Sequence, residues 1–318
     1  MNLPKIADLD VSGKRVLLRL DLDCEPEPND LRIKASRETL DYLKEKGSQI
    51  VIIAHRGRPE GKVDENLSLK PFQPFFDKWG AKVEENLRFN PGEEKNDPEF
   101  ARHLADLGNV YVNEAFAASH REHASIVGIP KLLPHAAGFR FVEEVENLSK
   151  VLVNPKRPVV FIIGGVKKDK LDDIENLKEV ADKILVGGRL PEYIKEMPNE
   201  KMVVGNLLPD KEDLTINSMI KFEGEIKKAG TIVLAGPMGK YEEEGHRQGT
   251  ERIFKAVAKS DAFKVTGGGD GLVVLQLFNL IDKFNCSLFS IKEDKFLLGK
   301  WNIPLETLVD EQISELHL

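Results

Sequence analysis

Arginine and histidine recur directly behind strand-like apolar runs in the first half of this sequence. Asp21, Asp23 and, past a short acidic loop, Arg32 follow Val16–Leu20, and His55, Arg56 and Arg58 follow Ile50–Ala54. Arg88 comes after Asn86-Leu87, while Asn113, Glu114 and His120-Arg121-Glu122-His123 come after Val110–Val112. Guanidinium forks match the geometry of phosphate and carboxylate, so cations delivered by four segments suit one small, highly charged anion. Taken singly, each arginine reads as a solvated surface charge, His55 as a loop cap and His123 as a packing residue. Delivery by all four segments is what favours an anion site.

The second half places glycine at the equivalent positions. Val159–Ile163 ends in Gly164-Gly165, Ile184–Val186 in Gly187-Gly188, and Thr231–Leu234 in Ala235-Gly236-Pro237-Met238-Gly239. Phe263–Thr266 ends in Gly267-Gly268-Gly269-Asp270, and Lys167 and Lys170 stand just beyond the first of these turns. Glycine lets backbone amides approach a ligand, and a helix N-terminus adds partial positive charge, so these turns could cradle phosphates. Alternatively, they only make tight strand-to-helix turns. Asp270 opens the apolar helical run Leu272–Leu275, where a carboxylate could hold the magnesium of a nucleotide. Neither the P-loop pattern nor G-x-G-x-x-G occurs, so no common motif names the ligand.

These residues need elements to position them. Helical runs over Ser36–Lys46, Leu69–Trp79 and Asp97–Leu107, the last with Pro98 in its first turn, separate the strands of the first half. Such alternation predicts a parallel sheet with helical crossovers, whose ligands bind outside the carboxyl ends of the strands. Between the halves, Val142, Val145, Leu148 and Leu152 recur at helical spacing and Asn154-Pro155 ends the run. The expected fold is α/β, two parallel-sheet domains joined by a connecting helix, with a cleft and hinge between them. The expected bounds are 1–138, a connecting helix 139–157, a second domain 158–300, and a tail 301–318 packing back on the first domain. Hinge closure would bring two ligands together and exclude water from a transfer reaction.

Composition narrows the class. A chain of 318 residues suits two domains of about 150 residues each. With 41% apolar and 31% charged residues it reads as an ordinary soluble globular protein. A net charge of −7 argues against a general nucleic-acid binder. No apolar run approaches the roughly 20 residues of a membrane span, and the N-terminus lacks a signal-peptide core. Cys24 and Cys286 give neither a disulfide framework nor metal-ligand spacing. A cytoplasmic monomer acting on small molecules is expected, with no nucleic-acid or membrane partner.

Leu87-Arg88-Phe89-Asn90-Pro91-Gly92-Glu93-Glu94-Lys95, His55-Arg56-Gly57-Arg58-Pro59, Ser119-His120-Arg121-Glu122-His123-Ala124-Ser125, Gly236-Pro237-Met238-Gly239 and Gly267-Gly268-Gly269-Asp270 together resemble the phosphoglycerate kinase family. The resemblance runs over nearly the whole chain. It implies two Rossmann-like domains, the first binding phosphoglycerate and the second Mg-ATP. The implied reaction is reversible phosphoryl transfer between 1,3-bisphosphoglycerate and ADP, giving 3-phosphoglycerate and ATP. By position, the implied substrate residues are Asp21, Asp23, Arg32, His55, Arg58, Arg88 and Arg121, with Arg32, Lys167 and Lys170 catalytic. The implied nucleotide residues are Gly164, Gly165, Lys170, Glu242, Gly267, Gly268, Gly269 and Asp270. Asp270 would hold Mg2+ through the nucleotide, and Glu242 the ribose hydroxyls.

Departures from the family pattern concentrate in the second half. Asp21-Leu22-Asp23 has an acid where the family has asparagine, and Lys167 and Lys170 are three apart rather than four. Arg189 replaces a third glycine, and the stretch from Gly188 to Thr231 is shorter than in the family. Leu234-Ala235 stands where the family has Trp-Asn, and Gly271 where it has serine or threonine. Ser287 to Lys295 lacks the glycine-rich turn that receives the transferred phosphoryl, although Lys292 or Lys295 could stand in as a charge. Losing donors aimed at a transition state costs on the order of a hundredfold in rate. A kinase of reduced activity, a non-catalytic phosphoglycerate-binding paralogue, and a kinase for another phosphorylated acid are all compatible with these residues. Retention of Lys167, Lys170, Glu242 and Asp270 together favours the first.

Overall fold

The computed structural model describes residues 3–28, 30–171, 174–194, 200–267 and 269–288. The chain forms two compact units whose boundary follows Glu144, inside the helix Phe139–Leu152. That helix begins three residues before the periodic run read from Val142.

In the first unit the strands are β1 (Arg15–Arg19), β2 (Gln49–Ile53), β3 (Lys82–Val83), β4 (Val110–Asn113) and β5 (His135–Ala137). They pair in parallel in the order β3-β2-β1-β4-β5. Alternate residues of a strand face opposite ways, and both faces of β1 are covered. Val16 and Leu18 join Ile50, Ile52, Leu40, Leu43, Phe72 and Phe76 in one core layer. Leu17 joins Ile53, Leu87, Leu104, Tyr111 and Ile129 in the other. The chain leaves β1 for β2 on one side and reaches β4 on the other. That reversal of strand order opens a crevice at the carboxyl ends of β1 and β4, where ligands of such sheets bind.

One expected element is corrected. Residues 69–79 do not form one helix but a 3-10 turn Lys70–Phe72, one α-turn Gln73–Phe76 and a 3-10 turn Asp77–Trp79. Pro71 and Pro74 remove the N–H groups that a continuous helix would need. The helices Arg37–Glu45 and Pro98–Ala105 stand where expected, the second capped by Asp97, whose carboxylate accepts from the Glu99 and Phe100 amides.

In the second unit the strands are β6 (Val159–Ile163), β7 (Lys183–Val186), β8 (Met202–Val204), β9 (Thr231–Ala235), β10 (Phe263–Gly267) and β11 (Cys286–Leu288). They are all parallel, in the order β11-β10-β9-β6-β7-β8. β6 and β9 are buried along their whole length, and strand order reverses between them. Ile162, Leu234, Met219, Phe222, Ile253, Phe254 and Val274 share one core layer with the helices Ile216–Ile226, Gln248–Lys259 and Gly269–Leu277. No helix among the described residues is long and apolar enough to cross a membrane.

Candidate functional site

Arg19 ends β1 and is wholly buried. Its Nε donates to Ser125 Oγ at 3.1 Å, its Nη1 to the Leu20 carbonyl, and its Nη2 lies 2.9 Å from His55 Nδ1. Glu93, also wholly buried, supplies the opposite charge at one remove. It accepts from the Ser125 amide at 2.9 Å and from Ser125 Oγ at 2.6 Å. His123 Nδ1 lies 3.7 Å from Glu93 Oε1. Arg88 donates to the Gly57 carbonyl at 2.6 Å; its Nε stands 3.2 Å from Glu94 Oε1 but off the N–H axis, so it makes no hydrogen bond. Arg121 Nε contacts His120 Nε2 at 3.2 Å, and its Nη1 lies 3.4 Å from His55 Nε2.

Three of the arginines thus crowd two histidines at the ends of β1, β2 and β4. Burial, then Arg19, Arg88 and Arg121, hold His55 well below the ordinary histidine range. Burial and the same arginines push His123 down to about 3. Burial first, and Arg121 next, lower Arg88 to about 10. Both histidines are therefore neutral at pH 7, and the positive charge of the site is carried by guanidinium. An incoming anion would relieve that crowding, which is the electrostatic signature of an anion site.

The acids beside this cluster have partners of their own. Asp23 Oδ1 accepts from the Gly57 amide at 2.7 Å, and Oδ2 is 3.9 Å from His55 Nε2. Asp21 Oδ2 holds Arg32 Nε at 3.2 Å, and the Asp23 carbonyl accepts from Arg32 Nη1 at 2.6 Å. Asp30 caps the short helix Leu31–Ala35 by accepting from the Arg32 amide. Arg58 is exposed and close enough to Arg121 to lower its pKa. Arg56 turns elsewhere: it binds the Cys24 and Asn66 carbonyls and Glu25, tying the loop after β1 to the loop after β2.

The glycine turns of the second unit are woven into one another. The Gly164 amide donates to the Ala235 carbonyl, Gly165 to Pro237, Gly188 to Met238, and Arg189 to Gly165. Met238 and Gly239 both donate to Thr250 Oγ1 at 3.0 Å. A Cβ on Gly164 would collide with the Pro237 carbonyl, and Gly165 sits at φ +103°. These amides are donated within the fold, so the glycines here serve close approach of three loops rather than presentation of N–H groups. Lys170 reaches over the junction: a Cβ built on Gly165 or Gly236 would stand 3.4 or 3.0 Å from its Nζ. Lys167 is exposed.

Glu242 and the exposed Asp270 converge on Tyr241. Burial, then Asp270 and Glu242, raise its phenol to about 12. Among the described residues no three His, Cys, Asp or Glu side chains cluster as a metal cage. One or two outward carboxylates fit Mg2+, which prefers a few carboxylates plus phosphate and water. Gly268, Lys292, Lys295 and the tail 301–318 lie outside the described residues.

Three contributors escaped the sequence reading. Arg19 is the one charge inside the apolar run Val16–Leu20, a signal that was readable. Glu93 hides among the acids of Glu93-Glu94. Asp213, buried, accepts from the Gly249 and Leu214 amides and packs against Gly239, and nothing local in the sequence marks it.

The sequence profile of the phosphoglycerate kinase family matches residues 6–84, 81–221 and 209–287. The phosphoglycerate kinase of Moorella thermoacetica is 33% identical over 360 aligned positions, covering 87% of this chain and 91% of that protein. That alignment is longer than this chain, so the relative carries segments absent here. The solved phosphoglycerate kinase of Coxiella burnetii superposes with a TM-score of 0.78 at 27% identity, covering 96% of each chain. That of Pyrococcus horikoshii gives 0.76 at 25% identity, over 90% of this chain and 93% of that one. With the profile matched from residue 6 to 287, a third of aligned positions identical to a relative, and both parallel sheets shared, the chain belongs to the phosphoglycerate kinase family.

Proposed function

We propose that this protein is a cytoplasmic, monomeric phosphoglycerate kinase that moves a phosphoryl group between 1,3-bisphosphoglycerate and ADP. Residues 1–138 bind the phosphorylated acid, residues 158–300 the Mg-nucleotide, and 139–157 connect them as a hinge. The observation that carries the reading is the cluster of Arg19, Arg88 and Arg121 around two neutral histidines in a chain of net charge −7. Such a cluster is costly without an anion to occupy it.

In this reading Arg88, Arg121 and Arg58 bind the phosphate and carboxylate of the acid by charge-assisted hydrogen bonds, with His55 as a neutral donor. Arg32, anchored through Asp21 and the Asp23 carbonyl, stabilises charge on the transferring oxygens. Lys170 neutralises the nucleotide phosphates from above Gly165 and Gly236, and Lys167 adds charge from the exposed side. Glu242 takes the ribose hydroxyls. Asp270 would hold Mg2+ through the nucleotide, where the ion would neutralise phosphate charge.

The test is a coupled assay with 3-phosphoglycerate, Mg-ATP and an excess of glyceraldehyde-phosphate dehydrogenase. Turnover that falls on the order of 10²–10³-fold in Arg32→Ala is expected. Turnover unchanged in that variant would remove Arg32 from the mechanism. Binding of 3-phosphoglycerate without turnover would make the chain a non-catalytic member of the family.

A further inference from the structure

Arg19 is the largest wholly buried side chain among the described residues, and each arm of its guanidinium has an assigned acceptor. Guanidinium has donors only, so at 2.9 Å the Nδ1 of His55 must be the acceptor and carry no proton. The proton of a neutral imidazole then sits on Nε2. An imidazolium would set two N–H groups head to head against Arg19. On the far side of the ring Arg121 Nη1, also a donor, stays at 3.4 Å from Nε2, so the closer guanidinium of Arg19 takes the lone pair, and the Asp23 Oδ2 acceptor stands 3.9 Å from Nε2. Two donors, His55 Nε2–H and Arg121, therefore stand beside Asp23, where a bound anion would be the next acceptor.

The chain behind Arg19 closes without a loose proton. The Ser125 hydroxyl gives its hydrogen to Glu93 Oε1 at 2.6 Å and offers a lone pair to Arg19 Nε at 3.1 Å. Tyr111 Oη pins the same residue by donating to the Ser125 carbonyl at 2.7 Å. Glu93 is thus the counter-charge of Arg19, and the charged groups around His55 are Arg19, Arg88, Arg121 and Asp23, with neutral His123 beside them.

We infer that Arg19 is a positioning residue that fixes His55 as the Nε2–H tautomer, an uncharged donor aimed into the anion site, with Glu93 balancing it through Ser125. The inference rests on the proposed function only for the identity of the anion. Its consequence is that the His55 contribution to ligand binding is flat across the pH range in which a free histidine would titrate.

The experiment is an imidazole proton–nitrogen correlation spectrum of the full-length 15N-labelled protein, with His55 assigned by its loss in His55→Gln. The expected pattern is Nδ1 unprotonated and accepting, Nε2 protonated, and no change between about pH 6 and pH 9. An Nδ1–H tautomer, or conversion to imidazolium within that range, overturns the inference on the unmodified protein alone. The double variant Arg19→Met/Glu93→Gln removes both buried charges together. It should let the Nδ1–H tautomer appear in the His55 spectrum, because the donor that keeps Nδ1 unprotonated is gone while burial, Arg88 and Arg121 still disfavour the charged ring. An unaltered His55 spectrum in that variant also overturns the inference. An unmodified protein that shows the expected tautomer but binds no 3-phosphoglycerate overturns the kinase reading and supports the tautomer.

Discussion

Replacing Ser125 by alanine isolates the buried support beneath the anion site. The hydroxyl is the joint between Arg19 and Glu93, and removing one oxygen atom creates almost no cavity. Two buried groups lose a partner: the Arg19 Nε–H and Glu93 Oε1. The Ser125 amide still donates to Glu93 Oε2, so the loss is confined to the hydroxyl. A hydrogen bond to a charged buried group contributes about 1.5–3 kcal/mol, so the loss of two should cost about 3–6 kcal/mol. With a urea m-value of about 1–3 kcal/mol/M, the midpoint of the first unit should fall by at least about 1 M. Trp79 is buried in that unit, so its fluorescence in a Trp301→Phe background reports the transition. A midpoint shift below about 0.3 M would refute the reasoning, because it would mean that Arg19 and Glu93 are not joined through this hydroxyl.

Three further outcomes are expected. Lys170→Met should lower kcat on the order of 10²–10³-fold in the coupled assay while calorimetric 3-phosphoglycerate affinity stays unchanged; equal loss of both would place Lys170 in a structural role. Burial raises Glu114 to about 7 and Glu144 to about 8, above their unfolded values, so both bind protons more readily in the folded chain. The stability they contribute is present below about pH 4.5 and is lost as pH rises through 7 and 8, and Glu114→Gln should flatten part of that slope in urea titrations. Gly164→Ala should destabilise the second unit by about 1–3 kcal/mol, since its Cβ meets the Pro237 carbonyl; a change below 0.5 kcal/mol by the same measurement, roughly the noise of surface substitutions, would contradict the interlocked loops.

The fold was legible where the signal is local and long enough. β1, β2, β4, β6 and β9 contain apolar runs of three to five residues with turn residues behind them, and such runs announce buried parallel strands. Edge strands such as Lys82–Val83 and His135–Ala137 are too short to show alternation and exist because a neighbouring strand offers hydrogen bonds. The apolar content of residues 69–79 reads as helix, yet Pro71 and Pro74 deny it the backbone donors.

For the site, residue type and strand-end position were enough to gather His55, Arg58, Arg88 and Arg121, because the topology of a parallel sheet carries all strand ends to one edge. Which arginine supports and which one faces a ligand was not readable. Arg56 and Arg88 look alike in sequence, but Arg56 spends its guanidinium on two carbonyls and Glu25. The proton position on His55 depends on Arg19, 36 residues away, and the charge balance of Arg19 on Ser125, 106 residues away. Side-chain periodicity is set by neighbours along the chain and survives in the sequence. Hydrogen-bond direction, tautomer and the fate of each glycine amide are set by partners that only the folded chain brings together.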